Sequence, residues 1–267
     1  RASFGNAIAN GANLIPLAQS WPADLETPLT TWITVGAGHP PGVLLDSIEG
    51  GETVGRWSVV ACDPLWTASV RGDLLVRRWR DSREDRLTGN PFETLRECVR
   101  PYRCSHLPGL PPMGQLFGTW GYELIRWIEP TVPVHERGPN DPPDGIWMLM
   151  DAVLIFDQVK RLITAVAYAD LDAAENAQAA WDKALARIDS LRRCMASPLP
   201  AIAPLPWSSV SRDLTDVSSN RSRDEFEASV DRAREHIAAG DVFQLVISQR
   251  LETHVPQTPL ELYRSLR

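Results

Sequence analysis

The sequence contains very little lysine, because only Lys160 and Lys183 are lysines among its 27 basic residues. Reactions through a lysine Schiff base therefore have almost no candidate side chain. No run approaches the roughly 18 to 20 apolar residues that span a bilayer, and no basic segment followed by an apolar stretch marks a secretory signal. The formal charge of −7 disfavours a nucleic-acid partner, since phosphates bind basic faces. These absences predict a cytoplasmic protein with neither a membrane nor a nucleic-acid partner.

The usual motifs of metal sites and of nucleophilic catalysis are also missing. The four cysteines show no C-x-x-C spacing and the five histidines form no H-x-x-x-H or H-E-x-x-H pattern, so we predict reduced thiols and no metal site in this sequence. Neither a G-x-S-x-G elbow nor a G-x-x-x-x-G-K-[ST] loop occurs. Gly36-Ala37-Gly38 is excluded as a dinucleotide loop, because Pro40 and Pro41 would interrupt the helix that must follow it.

The pattern of apolar residues predicts short strands interrupted by helices. Strands are predicted over 43–45 (a buried strand), 57–61, 66–70, 74–79, 114–120, 147–156, 162–168 and 242–251, with hairpins joining 66–70 to 74–79 and 147–156 to 162–168. Helices are predicted over 91–99, 122–127, 171–195, 223–239 and from 259 onwards. Because strands and helices do not alternate regularly, this order favours an α+β fold in which antiparallel β-sheets pack with helices.

A change in composition divides the chain. Residues 197–219 are rich in proline and serine and have no periodicity, which is typical of a linker. We therefore predict an N-terminal domain at 1–196, a linker at 197–220 and the first elements of a second domain at 221–267. The first residue is Arg1 and the last, Arg267, falls inside a predicted helix, so we expect the sequence to be a piece of a longer chain.

Several motifs resemble one known family. The segment 237–250, IAAGDVFQLVISQR, and the segment 262–267, LYRSLR, resemble the chorismate-utilizing enzymes, and within that family component I of the anthranilate synthases. Further upstream matches are Pro22–Pro28, Leu44-Leu45-Asp46-Ser47, Glu49-Gly50-Gly51-Glu52, Gly55-Arg56-Trp57-Ser58, Gly118–Glu123 and Phe156-Asp157. Asp46 stands where the family usually has Glu, and Trp57 where it usually has Tyr.

This resemblance implies a function for the complete protein. The family carries out a lyase reaction in tryptophan biosynthesis, converting chorismate with ammonia into anthranilate and pyruvate. It uses Mg²⁺ and takes the ammonia from glutamine through a glutamine amidotransferase subunit. By resemblance, residues 1–196 form the regulatory domain, and the chain stops at the start of the chorismate-binding domain. The family's catalytic groups and Mg²⁺ ligands correspond to positions beyond Arg267, so we assign no catalytic or metal residue here and expect the piece alone to be inactive.

The resemblance also implies an effector site for L-tryptophan, the feedback inhibitor of the family. Carried over to this sequence, the site consists of Asp46 and Ser47, with Arg56 and Ser58 as further candidates. Asp46 offers an acceptor for the ammonium group of the amino acid, and the Ser47 hydroxyl or nearby backbone N–H groups offer donors for its carboxylate. A purely structural alternative is that Asp46 and Ser47 form a turn after a strand, with Arg56 paired to a carboxylate such as Asp63.

Two other functions stay open at this point. Aminodeoxychorismate synthase component I, in the para-aminobenzoate branch of folate synthesis, has a similar N-terminal domain. A non-catalytic module that only senses tryptophan or docks an amidotransferase is the other alternative. The residues of segment 243–250 and of the two motifs around Asp46 and Arg56 favour the anthranilate branch.

Overall fold

The computed structural model describes residues 2–36, 41–47, 55–111, 115–133, 138, 141–201, 217–255 and 257–267. The chain forms two compact units, Arg1–Ala201 and Ile202–Arg267. The boundary between them lies inside the linker predicted at 197–220. The matched segment at 49–52, Pro40 and Gly114 lie outside the described residues.

The described residues of the first unit form helices and short strands in a mixed order. Along the chain they are α1 (Ala2–Ala9), β1 (Leu14–Pro22), α2 (Pro28–Gly36), β2 (Gly42–Leu45), β3 (Trp57–Cys62), β4 (Trp66–Arg71), β5 (Leu74–Trp79), β6 (Glu84–Thr88), α3 (Pro91–Val99), β7 (Leu116–Trp120), a 3₁₀ helix (Tyr122–Trp127), β8 (Gly145–Leu149), β9 (Ala152–Asp157), β10 (Leu162–Asp170) and α4 (Ala177–Met195). In the second unit they are β11 (Ser218–Ser219), α5 (Arg223–Ala239), β12 (Leu251–Glu252) and α6 (Pro259–Leu266).

Five antiparallel strands form the first sheet, sheet A, in the spatial order β1-β10-β9-β3-β2. The central strand β9 is buried along its whole length, as expected of a strand covered on both faces. The edge strand β2 confirms the strand predicted at 43–45, but the prediction that it is buried is wrong. Its residues are half-buried or exposed, because an edge strand has a neighbour on one side only.

Sheet B contains the other five strands, in the order β6-β5-β4-β8-β7, and all its pairs are antiparallel. The predicted hairpin of β4 and β5 is confirmed, and its turn contains Gly72 at φ +60°. The glycine of strand β7 permits a close approach, since a Cβ added at Gly118 would lie 2.3 Å from the carbonyl oxygen of Ile146. The two sheets and the helices that pack on them confirm the predicted antiparallel α+β fold.

The single strand predicted at 147–156 is wrong. Its first part, β8, pairs with β4 and β7 in sheet B, whereas its second part, β9, pairs with β10 and β3 in sheet A. The chain changes sheets at Met150-Asp151, and Asp151 is the only charged residue in that apolar run. The predicted hairpin between its second part and the next strand is confirmed as β9 and β10.

Helix α4 covers one face of sheet A. Its buried side chains, spaced at helical intervals, are Ala180, Ala184, Ile188 and Leu191. They pack against alternate small residues of β10, Ala165, Ala167 and Ala169. The helix begins at Ala177 and not at the predicted 171, because the Asn176 side chain accepts a hydrogen bond from the Ala179 N–H at 2.9 Å and caps the first turn.

The second unit confirms the predicted helix ends. A capping box of Ser222 and Glu225 starts α5, and Gly240 ends it in the left-handed region at φ +84°. The strand predicted at 242–251 is wrong, since only Leu251–Glu252 forms a strand, paired with β11. A strand needs a neighbour for its N–H and C=O groups. No described strand lies beside residues 242–250, where Phe243 is 96% exposed.

Candidate functional site

The predicted effector residues lie at the edge of sheet A, where β2 ends and β3 begins. The backbone N–H of Ser47 donates to Ser58 Oγ at 3.0 Å, and the Ser47 hydroxyl donates to the Trp57 carbonyl at 2.7 Å. Ser58 is fully buried, and its hydroxyl donates to Asp46 Oδ1 at 3.4 Å. The structure therefore joins Asp46, Ser47 and Ser58 in one hydrogen-bonded group. Residues 48–54, which connect the two sides of this group, lie outside the described residues.

These hydrogen bonds decide what the Ser47 hydroxyl can offer a ligand. Its only hydrogen is directed at the Trp57 carbonyl, so the oxygen is left as an acceptor. The backbone N–H of Ser47 is also occupied, by Ser58. A carboxylate consequently finds no donor in Ser47, whereas an ammonium group finds acceptors in Asp46 and in the Ser47 oxygen.

Arg56 lies beside this group and binds a carboxylate that the sequence analysis did not name as its partner. Its Nε and Nη2 donate to the two oxygens of Asp157 at 3.1 and 2.7 Å. The guanidinium also lies 4.5 Å from the centroid of the Trp57 ring. The suggested pairing with Asp63 is wrong, since Asp63 binds Arg80 and Arg187.

The Asp157 carboxylate accepts hydrogen bonds from the Arg56 guanidinium and from two backbone amides. Burial alone would raise its pKa, but hydrogen bonds from Arg56 and from the backbone amides of Lys160 and Val159 outweigh burial. The net pKa of Asp157 lies below its ordinary value. Asp157 is thus ionised near neutral pH and fixes the Arg56 side chain in one orientation.

Sequence reasoning missed Gln158, which completes this group. Its side-chain amide donates to Ser58 Oγ at 3.1 Å, and its backbone N–H donates to the Arg56 carbonyl at 2.9 Å. The available signal was the Phe156-Asp157 match, since Trp57 pairs with Asp157 across the sheet. We refer to Asp46, Ser47, Arg56, Ser58, Asp157 and Gln158 as the edge network.

A second feature lies near the point where the chain passes from sheet B to sheet A. Four charged side chains form an ion network in which Arg80 and Arg187 each bind both Asp63 and Asp151, at 2.8 to 3.2 Å. Burial alone would raise the pKa of Asp151, but Arg80 and Arg187 hold it below its ordinary value. Arg80, Asp151 and Arg187 border a cavity of about 340 Å³ beneath helix α4, which we call the α4 cavity.

In the described part of the chain, no three His, Cys, Asp or Glu side chains converge on a point where they could hold a metal ion. No helix within the same ranges is long and apolar enough to cross a membrane.

Comparison with known proteins defines the class of fold first. The chain superposes on a crystal structure of anthranilate synthase component I from Streptococcus pneumoniae TIGR4 with a TM-score of 0.57 and 25% sequence identity. The match covers 84% of this chain and 47% of that one. The antiparallel α+β fold described above is therefore of the type found in that enzyme.

The sequence comparisons then give the family. The family described as chorismate binding enzyme matches residues 63–267. Anthranilate synthase component 1 of Synechocystis sp. is 46% identical over 97% of this chain and 52% of its own length, and that of Cereibacter sphaeroides is 34% identical over 99% and 53%. The chain belongs to the chorismate binding enzyme family, as its motifs predict. It spans about half the length of the curated relatives it matches.

Proposed function

We propose that the protein containing this chain is component I of an anthranilate synthase, which converts chorismate and ammonia into anthranilate and pyruvate. The observation that carries this proposal is the 46% identity to anthranilate synthase component 1 of Synechocystis sp. over nearly the whole chain. A glutamine amidotransferase subunit is proposed as the partner that supplies the ammonia.

The chemistry of the proposed reaction is not assigned to residues of this chain. The proposed Mg²⁺ needs several oxygen ligands around one point, and the described residues offer no such cluster. The proposed contribution of the first unit is control of the reaction by L-tryptophan.

The proposed tryptophan site is the edge network, and its hydrogen bonds support particular roles. Asp46 and the Ser47 oxygen accept from the ammonium group of the ligand. Ser58 positions both of them, because it receives the Ser47 N–H and donates to Asp46. Arg56 brings positive charge to the same edge of the sheet, although Asp157 shares that charge.

Calorimetric titration of the full-length protein with L-tryptophan tests the effector proposal. Asp46→Asn keeps the size of the side chain but removes its charge, so we expect at least about tenfold weaker binding, as for the loss of a charge-assisted hydrogen bond. The matched control is Asp189→Asn, an exposed carboxylate on α4, which should leave binding unchanged. Equal binding by the Asp46→Asn variant and the unaltered protein would remove Asp46 from the site.

A product assay tests the catalytic proposal separately. The full-length protein is supplied with chorismate, ammonia and Mg²⁺, and anthranilate is detected by its fluorescence. Formation of anthranilate supports the proposal. Formation of 4-amino-4-deoxychorismate would assign the protein to the para-aminobenzoate branch, and no turnover of chorismate would contradict both assignments.

A further inference from the structure

The α4 cavity is bounded by both sheets and by one helix. Its apolar wall is formed by Leu14 at the start of β1, Leu65 before β4, Leu149 at the end of β8 and Ala184 of α4. Its volume of about 340 Å³ lies at the lower end of the range of small-molecule sites. The size and the apolar wall suit a molecule with one ring or a short carbon chain.

The amide side chain of Gln115, in the wall of this cavity, is buried and, among the described residues, unpaired. Gln115 is 7% exposed and borders the cavity, yet no hydrogen bond involves its side-chain amide in the described part of the chain. Its amide atoms are not among the polar atoms sealed from solvent without a partner, and the residue lines the cavity. A buried amide without a partner is costly, and a ligand in the cavity would supply one.

The charges around the cavity favour an anion. Arg80 and Arg187 are already shared by two carboxylates each. Lys183 also borders the cavity and makes no ion pair with any described residue. Asp170 is the remaining carboxylate in the wall, and one of its oxygens accepts the backbone N–H groups of two following residues at 3.0 and 3.1 Å. The cation without a partner is therefore Lys183.

We propose that the α4 cavity binds a small, mainly apolar molecule that carries one carboxylate. The ring or carbon chain of the molecule contacts the leucines and Ala184. Its carboxylate is bound by the Lys183 ammonium and by the Gln115 amide, which donates through Nε2. This inference does not depend on the proposed function, because none of these residues belongs to the edge network.

Titration with two isosteric probes, sodium benzoate and benzamide, tests the proposal. The full-length protein should bind benzoate in the millimolar range typical of so small a ligand, and benzamide about fivefold more weakly or worse, because it lacks the charge. Absence of benzoate binding at its solubility limit would show that the cavity is only a packing void. Equal binding of benzamide would overturn the assignment of a carboxylate ligand.

Variants locate the probe within the molecule. Lys183→Gln changes an exposed helix position, and we expect it to weaken benzoate binding about fivefold or more. Gln115→Leu keeps a similar side-chain shape, and circular dichroism checks that the variant is folded. We expect it to weaken benzoate binding by a similar factor. The control Lys160→Gln changes the other lysine, which is exposed in the turn between β9 and β10, and should leave binding unchanged. Unaltered binding to the Lys183→Gln variant would overturn the proposal.

Chemical labelling gives a readout that needs no substitution. A lysine reagent acetylates the protein, and mass spectrometry follows the peptides that contain Lys183 and Lys160. Addition of benzoate should slow acetylation at Lys183 but not at Lys160. Equal rates at Lys183 with and without benzoate would place the probe elsewhere. Benzoate binding that survives in the Asp46→Asn variant would separate this site from the proposed tryptophan site, and loss in that variant would overturn their independence.

Discussion

The ion network of Arg80, Arg187, Asp63 and Asp151 makes a quantitative prediction. The substitution Asp151→Asn removes one carboxylate and leaves two guanidinium groups to share Asp63. Breaking a fully buried pair costs about 3 to 5 kcal/mol, whereas exposed pairs contribute about 0.2 to 1 kcal/mol. Because the side chains of Asp151 and Arg187 are 24% and 20% exposed, we expect a loss of about 2 kcal/mol. For a unit of this size, that corresponds to a Tm lower by about 4 to 8 °C.

Differential scanning calorimetry as a function of pH measures this effect. The native pKa of Asp151 lies below its ordinary value, so its stabilisation is present above the unfolded-state pKa of about 3.9 and is lost as the pH falls through the native pKa. The difference between the variant and the unaltered protein should therefore be full at neutral pH and shrink in acid below about pH 4.

A matched control distinguishes the effect of losing a partly buried ion pair from the effect of losing a carboxylate charge at an exposed position. Asp189→Asn removes a carboxylate from the same helix as Arg187, but Asp189 is 45% exposed and its partner Arg192 is 64% exposed. We expect it to cost no more than about 0.5 kcal/mol. Equal losses from Asp151→Asn and Asp189→Asn, or a difference that does not change with pH, would refute the reasoning.

Three further predictions concern residues in sheets A and B and the connection between α3 and β7. Ser58→Ala removes a fully buried hydroxyl with three hydrogen-bond partners and should lower the free energy of unfolding in urea by about 1 to 2 kcal/mol. Gly118→Ala forces a Cβ against the carbonyl of Ile146 and should cost about 1 to 3 kcal/mol in the same assay. Burial raises the pKa of the Cys62 thiol to about 11, so a disulfide reagent at pH 8 should modify the exposed Cys104 first and Cys62 only after unfolding.

Each of these three predictions can be contradicted by a specific result. An unchanged urea midpoint for Ser58→Ala would mean that its hydrogen bonds are replaced by water. An unchanged midpoint for Gly118→Ala would mean that the strands can separate without cost. Modification of Cys62 in the native protein as fast as that of Cys104 would contradict its burial.

Features determined by a few neighbouring residues could be predicted from the sequence. The capping box at Ser222, the left-handed end of α5 at Gly240 and the hairpin around Gly72 each depend on side chains within one turn. The predicted bounds of α5, 223–239, and the predicted hairpin are confirmed, because no distant contact competes with these local features. The start of α4 is different, since Asn176 caps the helix more effectively than the preceding residues continue it.

Features that depend on distant neighbours could not be predicted. The change of sheet at Met150-Asp151 is hidden in an apolar run, because both halves are buried and only their pairing partners differ. Residues 242–250 have strand composition, but composition cannot supply a neighbouring strand.

The candidate sites also combine residues that the sequence indicates with residues that only the fold brings together. Asp46, Ser47, Arg56 and Ser58 are close in sequence, and the family resemblance indicates them. The Asp157 that binds Arg56 is 101 positions away, so only the strand register brings it there. The α4 cavity has no sequence signal, because its wall is assembled from separate strands, loops and one helix.

The corner at Met150-Asp151 also has a consequence for motion. At this corner a two-residue stretch of backbone joins β8 of sheet B to β9 of sheet A, and Arg187 of α4 and Arg80 after β5 both bind the Asp151 side chain. Neither sheet can open at this corner without breaking contacts made by the other. Amide hydrogen exchange in β8 and β9 should therefore report one shared opening reaction with one free energy, and not two independent ones.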